Sequence, residues 1–296
     1  MSSPSALPDP AKIQKFREHL HEEWTGEQTV AAWRKWHAQI AIFSRDGTEA
    51  ILEAAQLRPG MRVLDLASGV GDPAFSLAAQ VGPSGRVTAT DLGPGMISLA
   101  EELARKKGIT NIEFREANAE SLPFPDGSYD ALTCRFGAMF FPDLGKSLRE
   151  CLRVLKPGGR AAFVVWGKGD QPFFTATAGV VLKHLPVPPP PPDPDGPSMF
   201  MFGERGRFRR ALESAGFSTV SEEARTVSGP WPGPPEQFWE QFTEVAAPFR
   251  PLIAQLTPEK KAIAVAEILA GLRKYWDGKH TALPLEIVVA SGLRPT

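Results

Sequence analysis

The stretch Arg62–Ala78, RVLDLASGVGDPAFSLA, decides the fold. An apolar run holding a carboxylate leads into a loop of small residues and then into a segment with helical periodicity, the pattern of a β-strand handing over to an α-helix. Gly69 and Gly71 allow the backbone to turn sharply and to approach a ligand without Cβ atoms in the way. Asp72 is placed to cap the helix and Pro73 to take its first position, where the missing N–H has no intrahelical partner. A helix N-terminus behind such a loop favours an anion.

Outward from this loop, short apolar runs alternate with amphipathic segments, which predicts βα units and a parallel sheet. Strands are expected at Arg62–Ala67, Arg86–Thr90, Asn111–Arg115, Tyr129–Arg135 and Arg160–Trp166. Helices are expected near Pro73–Gln80, Pro94–Lys107 and Asp143–Leu155, with turns at GPSG (Gly82–Gly85) and KPGG (Lys156–Gly159). Crossovers of the usual hand make the sheet doubly wound, and ligands of such sheets bind at the carboxyl ends of the strands. The loop after the first strand lies there. So does Asp91, which ends the second strand at the spacing where a carboxylate accepts hydrogen bonds from ribose hydroxyls. Loop and acid together point to a cofactor carrying a nucleoside.

Composition narrows the chemistry. The chain has 296 residues, 42% hydrophobic and 23% charged, with a formal net charge of -1. It therefore lacks the excess of Lys and Arg that phosphate neutralisation demands, and a small-molecule partner is expected rather than nucleic acid. Two cysteines, Cys134 and Cys151, are too few for a disulfide framework and lack metal-ligand spacing, so no metal is expected. The first residues, MSSPSALPDP, show no basic region followed by an apolar core, and no apolar run reaches membrane-spanning length. The expectation is a cytoplasmic protein that does not enter a membrane.

GVGDPA (Gly69–Ala74) matches the dinucleotide fingerprint G-x-G-x-x-A, and Asp91 has the spacing for a nicotinamide-cofactor ribose, so a nicotinamide-dependent oxidoreductase stands as one alternative. The wider motif set points elsewhere. VLDLASGVG (Val63–Gly71), VTATDLGPGMISLA (Val87–Ala100), EANAESLPFPDGSYDAL (Glu116–Leu132) and RVLKPGGR (Arg153–Arg160) occur in order. With them the chain resembles the class I S-adenosylmethionine-dependent methyltransferases, especially the ubiquinone and menaquinone biosynthesis group. The resemblance is strong over Ile51–Lys168 and loose on the flanks. It implies a doubly wound, seven-stranded, mostly parallel sheet with its last strand antiparallel, the Rossmann-like methyltransferase fold, and S-adenosylmethionine as cofactor.

The resemblance also implies site residues. Gly69 and Gly71 would lie under the methionine part of the cofactor, with Asp65 helping to orient it and Ala67 and Ser68 also in the cofactor-binding loop. Asp91 would hold the ribose hydroxyls, Leu92 would pack on the adenine, Asn118 and Ala119 would meet its edge, and Met96 would also belong to the cofactor site. Arg135 would line the methionine end and face the substrate, where it is also a candidate catalytic group. Ala67 departs from the family, which usually has a glycine there. The plainer alternatives are a helix cap for Asp91 and a turn for Asn118.

The flanks read as closures of the site: an N-terminal helical lid (1–45), the cofactor-binding core (46–170), and a remainder (171–296) that completes the sheet with a Pro-rich loop and a helical substrate cap, all in one structural domain. In TVAAWRKWHAQIAIF (Thr29–Phe43), Trp33, Trp36, His37 and Ile40 recur at helical spacing. Trp33, Trp36 and His37 are candidate pocket residues, and His37 is a candidate catalytic base. His19 and His21 are expected to face solvent. LPVPPPPPDPDGP (Leu185–Pro197) cannot form helix or interior strand and is expected to be an extended spacer. Beyond it, a helix within Phe202–Phe217 and a strand at Ser218–Val227 precede two helical stretches, Pro235–Ala247 and Pro258–Trp276, and a last strand within Leu283–Gly292. Trp239 and Tyr275 are the candidate pocket residues there. The implied reaction is methyl transfer to a small apolar or aromatic acceptor, a quinone-like phenol being one specific candidate. A protein that binds S-adenosylmethionine without catalysis is the third alternative, because a sulfonium is already activated and little depends on named side chains.

Overall fold

In the computed structural model, which describes residues 10–187, 189 and 198–296, seven strands form one sheet in the order β3-β2-β1-β4-β5-β7-β6. They are β1 (Arg62–Leu66), β2 (Arg86–Asp91), β3 (Ile112–Glu116), β4 (Tyr129–Arg135), β5 (Leu155–Trp166), β6 (Ser218–Trp231) and β7 (Thr281–Leu293). β1 to β5 pair in parallel, and β7 runs antiparallel to both β5 and β6. This is the sheet the motif order implied. Helices α1 (Pro10–Thr25), α2 (Glu27–Phe43) and α3 (Arg45–Ala55) precede it, and α4 (Ala74–Val81), α5 (Pro94–Lys106) and α6 (Leu144–Val154) follow β1, β2 and β4. α7 (Pro172–Thr175), α8 (Ala178–His184) and α9 (Arg207–Ala215) come after β5, while α10 (Pro235–Val245), α11 (Arg250–Ala254) and α12 (Pro258–Leu272) lie between β6 and β7.

The period-2 alternation of the inner strands divides the core into two layers. Val63, Val87 and Val164 pack with Ile51 of α3 and Leu77 of α4. Their chain neighbours Leu64 and Phe163, with Leu66 and Leu132, pack with Leu148 of α6 and Phe208 of α9. A third apolar cluster, around Trp231, Phe238 and Ile268, belongs to the C-terminal cap and takes in Trp36 of α2. Coverage on both faces is why these strands read as nearly unbroken apolar runs.

Three local expectations change. The KPGG turn does not stand outside the sheet: β5 begins at Leu155, and the turn, with Gly158 at φ +74, is absorbed as a register shift against β4. Asp72 does not cap α4, which starts after Pro73 with no side-chain cap, because the Asp72 carboxylate is drawn 2.9 Å from Arg135 Nη2 instead. The segment expected to form one N-terminal lid divides. α2 sends Ala32 and Trp36 into the cap cluster, whereas α1 buries only Leu20 among its described side chains. Of the proposed Pro-rich spacer, residues 188 and 190–197 lie outside the described residues, as do the first nine residues of the chain.

The two loop glycines differ in kind. Gly71, at φ +101, has no room for a side chain, since a Cβ there would stand 2.2 Å from the Phe75 ring. Strained backbone and overpacking add, so Gly71→Ala is expected to cost about 2–4 kcal/mol of stability. Urea unfolding measures this, and a change below about 1 kcal/mol would show that the Phe75 ring yields without penalty.

Candidate active site

β1, β2 and β4 end on one cavity of about 580 Å³, roofed by α1 and α2 and walled on its far side by the C-terminal cap. Its floor at the β1 end is Leu66–Gly69. Gly69 has φ +54, and a Cβ built on it meets nothing within 4 Å, so the loop presents bare backbone to open space. Ala67 occupies the same left-handed region at φ +53 and is accommodated because Gly137 lies opposite, where a Cβ would come 2.5 Å from that of Ala67.

Two carboxylates hold this floor in shape. Asp91, at the end of β2, borders the cavity and accepts the Gly69 amide on Oδ2 and the Gly93 amide on Oδ1, each at 2.9 Å. Burial pushes its carboxyl above the ordinary range against the pull of those amides. Asp65 is wholly buried and does not border the cavity. Its Oδ2 accepts from Ser68 Oγ and its Oδ1 from Thr133 Oγ1, both at 2.6 Å, so it ties the loop to β4. Burial, opposed by those two hydrogen bonds, raises the Asp65 carboxyl to about 6.

Leu92, Met96, Asn118 and Ala119 border the cavity beside Asp91. Asn118 also makes the turn that was its plainer alternative, its Oδ1 accepting the Glu120 amide at 2.9 Å. Arg135 borders the cavity as a strut. Its guanidinium donates to Thr48 Oγ1 at 2.7 Å and to the Asp72 carbonyl at 2.8 Å, and its paired Asp72 carboxylate is at 2.9 Å. A guanidinium so committed is a positioning group rather than a proton carrier.

Four expected pocket residues are elsewhere. α2 is wedged between the cavity and the cap, so its apolar stripe is shared between two neighbours. Trp33 and Ile40 border the cavity. Trp36 turns to Trp231, with ring centroids 5.6 Å apart, and donates its Nε1 to Glu244 at 2.6 Å. His37 falls on the outer edge, its Nδ1 2.9 Å from the Arg34 carbonyl oxygen, and does not border the cavity. Trp239 is stacked on Phe242 inside the cap, and Tyr275 packs against the same cluster from the turn after α12. Gly71, as above, serves Phe75 rather than the cavity. The residues that sequence reasoning missed are Trp24, Phe136, Phe140, Trp166 and Phe173 on the wall, and Arg17, Glu120 and His21 at the cofactor end and rim. Phe136 stacks on Trp166 at 4.2 Å and Trp166 on Phe173 at 5.5 Å, which makes a continuous aromatic face. No group of three or more His, Cys, Asp or Glu among the described residues is arranged to hold a metal. No described helix is long and apolar enough to cross a membrane.

The ubiE/COQ5 methyltransferase family matches residues 42–185. The ubiquinone/menaquinone biosynthesis C-methyltransferase UbiE of Shewanella halifaxensis is 42% identical over 179 residues, 57% of this chain and 71% of that protein. The chain belongs to the ubiE/COQ5 methyltransferase family. UbiE of Shewanella sediminis is 43% identical over 118 residues, 40% of this chain, and there the chain spans 47% of its relative, about half its length. Phosphoethanolamine N-methyltransferase 2 of Haemonchus contortus, solved with S-adenosyl-L-methionine, shares the fold at TM-score 0.57 and 17% identity, over 99% of this chain and 62% of that one.

The cofactor of this family member is S-adenosylmethionine, and the residues present fit it: an open glycine cradle, a carboxylate at the ribose spacing and an apolar lining for a purine. The dinucleotide match at Gly69–Ala74 therefore carries no nicotinamide cofactor. Strand β7, antiparallel between β5 and β6, also departs from the dinucleotide-binding order.

The Asp65 carboxyl predicts a pH signature. Its folded value lies above the ordinary 3.8, so the stability it contributes is full below about pH 4 and is lost as pH rises through about 6. Asp65→Asn does not titrate and should gain on the parent between pH 4 and 7, by at most about 3 kcal/mol in urea unfolding. Parallel stability curves for the two proteins would contradict this placement of the proton.

Proposed function

We propose that the chain transfers a methyl group from S-adenosylmethionine to a small, neutral, apolar or aromatic acceptor bound in the same cavity. The observation that carries this is continuity. One cavity joins the Gly69–Asp91 cradle to the aromatic face of Phe136, Trp166 and Phe173, so cofactor and acceptor would meet without a solvent gap. A bound sulfonium would supply an activated methyl carbon. The ring's electron pair would bond to that carbon as the carbon–sulfur bond broke, giving S-adenosylhomocysteine, and the proton on the methylated ring carbon would then pass to solvent.

The chain's own work is then positioning and exclusion of water. Bare backbone at Ala67–Gly69 would pass under the methionine portion. The Asp91 oxygens, each already accepting one amide, keep lone pairs for the two ribose hydroxyls. Leu92 and Met96 would flank the adenine, and Asn118 and Ala119 its edge. Arg135, braced against Ser44, Thr48 and Asp72, would hold α3 and the β1 loop in register at the boundary between cofactor and acceptor.

The cap contributes Ser228 and Gln241 as its polar side chains bordering the cavity, and otherwise apolar and aromatic ones. That lining favours a neutral, flat molecule. With the names of its relatives, it favours a hydroquinone-type ring methylated at carbon. The cap itself brings no carboxylate or imidazole to the acceptor.

With a 1,4-naphthalenediol as acceptor, equal amounts of S-adenosylhomocysteine and ring-methylated product are expected by mass spectrometry. The rate should climb with pH through the acceptor's own pKa. Tight binding of S-adenosylhomocysteine with no transfer to phenols, amines, thiols or carbon acids would instead make this a cofactor-binding protein without catalysis.

A further inference from the structure

Helix α1 crosses the cofactor end of the cavity, held at its C-terminal end by Trp24, whose ring packs 6.4 Å from that of Trp33 and 5.7 Å from that of Phe140. Leu20 is its buried side chain among those described, while Gln14, Arg17 and His21 border the cavity. Its C-terminal end rests on the loop after β2, where the Trp24 carbonyl oxygen stands 3.0 Å from the position of a Cβ on Gly93. Nearer its start, it is fastened to the loop after β3, where Arg17 Nη2 meets Glu120 Oε2 at 2.7 Å. Those two loops carry Asp91 and Leu92 on one side and Asn118 and Ala119 on the other. α1 therefore spans the adenosine half of the cleft from wall to wall.

The fastening is built rather than incidental. Glu120 is 3% exposed, which is rare for a carboxylate unless it is paired. Its other oxygen, Oε1, accepts the Asp143 amide at 3.0 Å at the start of α6, and its own amide donates to Asn118 Oδ1 at 2.9 Å. Arg17 is thus clasped to a carboxylate that the core holds in place. α2 needs no such clasp, because Trp36 anchors it in the cap cluster.

We infer that Arg17, clasped to the buried Glu120 carboxylate, closes α1 as a roof over the adenosine end of the cleft and slows cofactor departure. This rests on the cofactor reading above. A pair with one buried member loses more than an exposed pair when its other member is removed. Arg17→Ala is expected to speed S-adenosylhomocysteine dissociation roughly three- to tenfold in stopped-flow displacement, with Arg17→Lys between it and the parent. A roof over the adenosine end acts on the adenosine and not on the amino acid. The same fold-loss of affinity is therefore expected for 5′-methylthioadenosine, which has the adenosine and lacks the amino acid. Arg34→Ala breaks a more exposed ion pair, Arg34–Glu102 at 2.6 Å, that does not border the cavity, and should leave dissociation unchanged. Unaltered dissociation in Arg17→Ala, or a loss confined to S-adenosylhomocysteine with 5′-methylthioadenosine unaffected, would overturn the roof. A folded parent that binds neither ligand would overturn the cofactor reading itself.

Discussion

The shape of the cleft depends on one carboxylate reaching across two strand ends. Asp91 accepts the amides of Gly69 and Gly93 at 2.9 Å each, and so fixes the loop after β1 against the loop after β2. With the Ser68 amide bonded to the Thr90 carbonyl oxygen at 2.9 Å, that bridge holds Gly69 in its left-handed turn facing open space. Asp65 does the complementary work one layer below, binding Ser68 and Thr133 so that the same loop is held to β4. The cost is two carboxyls raised by burial, and it is met because each accepts short hydrogen bonds from groups that have few other partners.

This arrangement separates two jobs that one motif had seemed to share. Of the two glycines in the loop, Gly69 opens the floor and Gly71 makes room for a ring behind it. Of the two acids, Asp91 faces the cavity and Asp65 props the loop from inside. Arg135 is braced instead, its Nη1 and Nη2 groups donating to Ser44, Thr48 and Asp72. The site's chemistry is consequently that of a shaped and largely apolar chamber, suited to a reaction whose electrophile arrives activated.

What could be read in the sequence follows from range. β4 emerges at the expected bounds, Tyr129–Arg135, because a buried parallel strand announces itself as an apolar run. Gly69 and Asp91 could be placed because the spacing of loop and acid reflects a βαβ unit, a local object. Trp36, His37, Trp239 and Tyr275 stand away from the cavity because helical spacing defines a stripe and not the neighbour it meets. α2 has two neighbours, and the cap keeps its own aromatics. Arg17 and Glu120 were invisible because they lie 103 residues apart. Nothing in PAKIQKFREHLHEEWT distinguishes that arginine from a solvated one. The KPGG turn was recognised but not its absorption into β5, which depends on pairing with β4.

Calorimetric titration of the folded protein with S-adenosylhomocysteine and, separately, NADH tests the central claim most directly, repeated on Asp91→Ala. The account predicts that the parent binds S-adenosylhomocysteine and not NADH. It also predicts that Asp91→Ala loses affinity by about 1.5–3 kcal/mol for each charge-assisted hydrogen bond removed. Binding of NADH in place of S-adenosylhomocysteine, or an Asp91→Ala variant that binds S-adenosylhomocysteine as tightly as the parent, would contradict it.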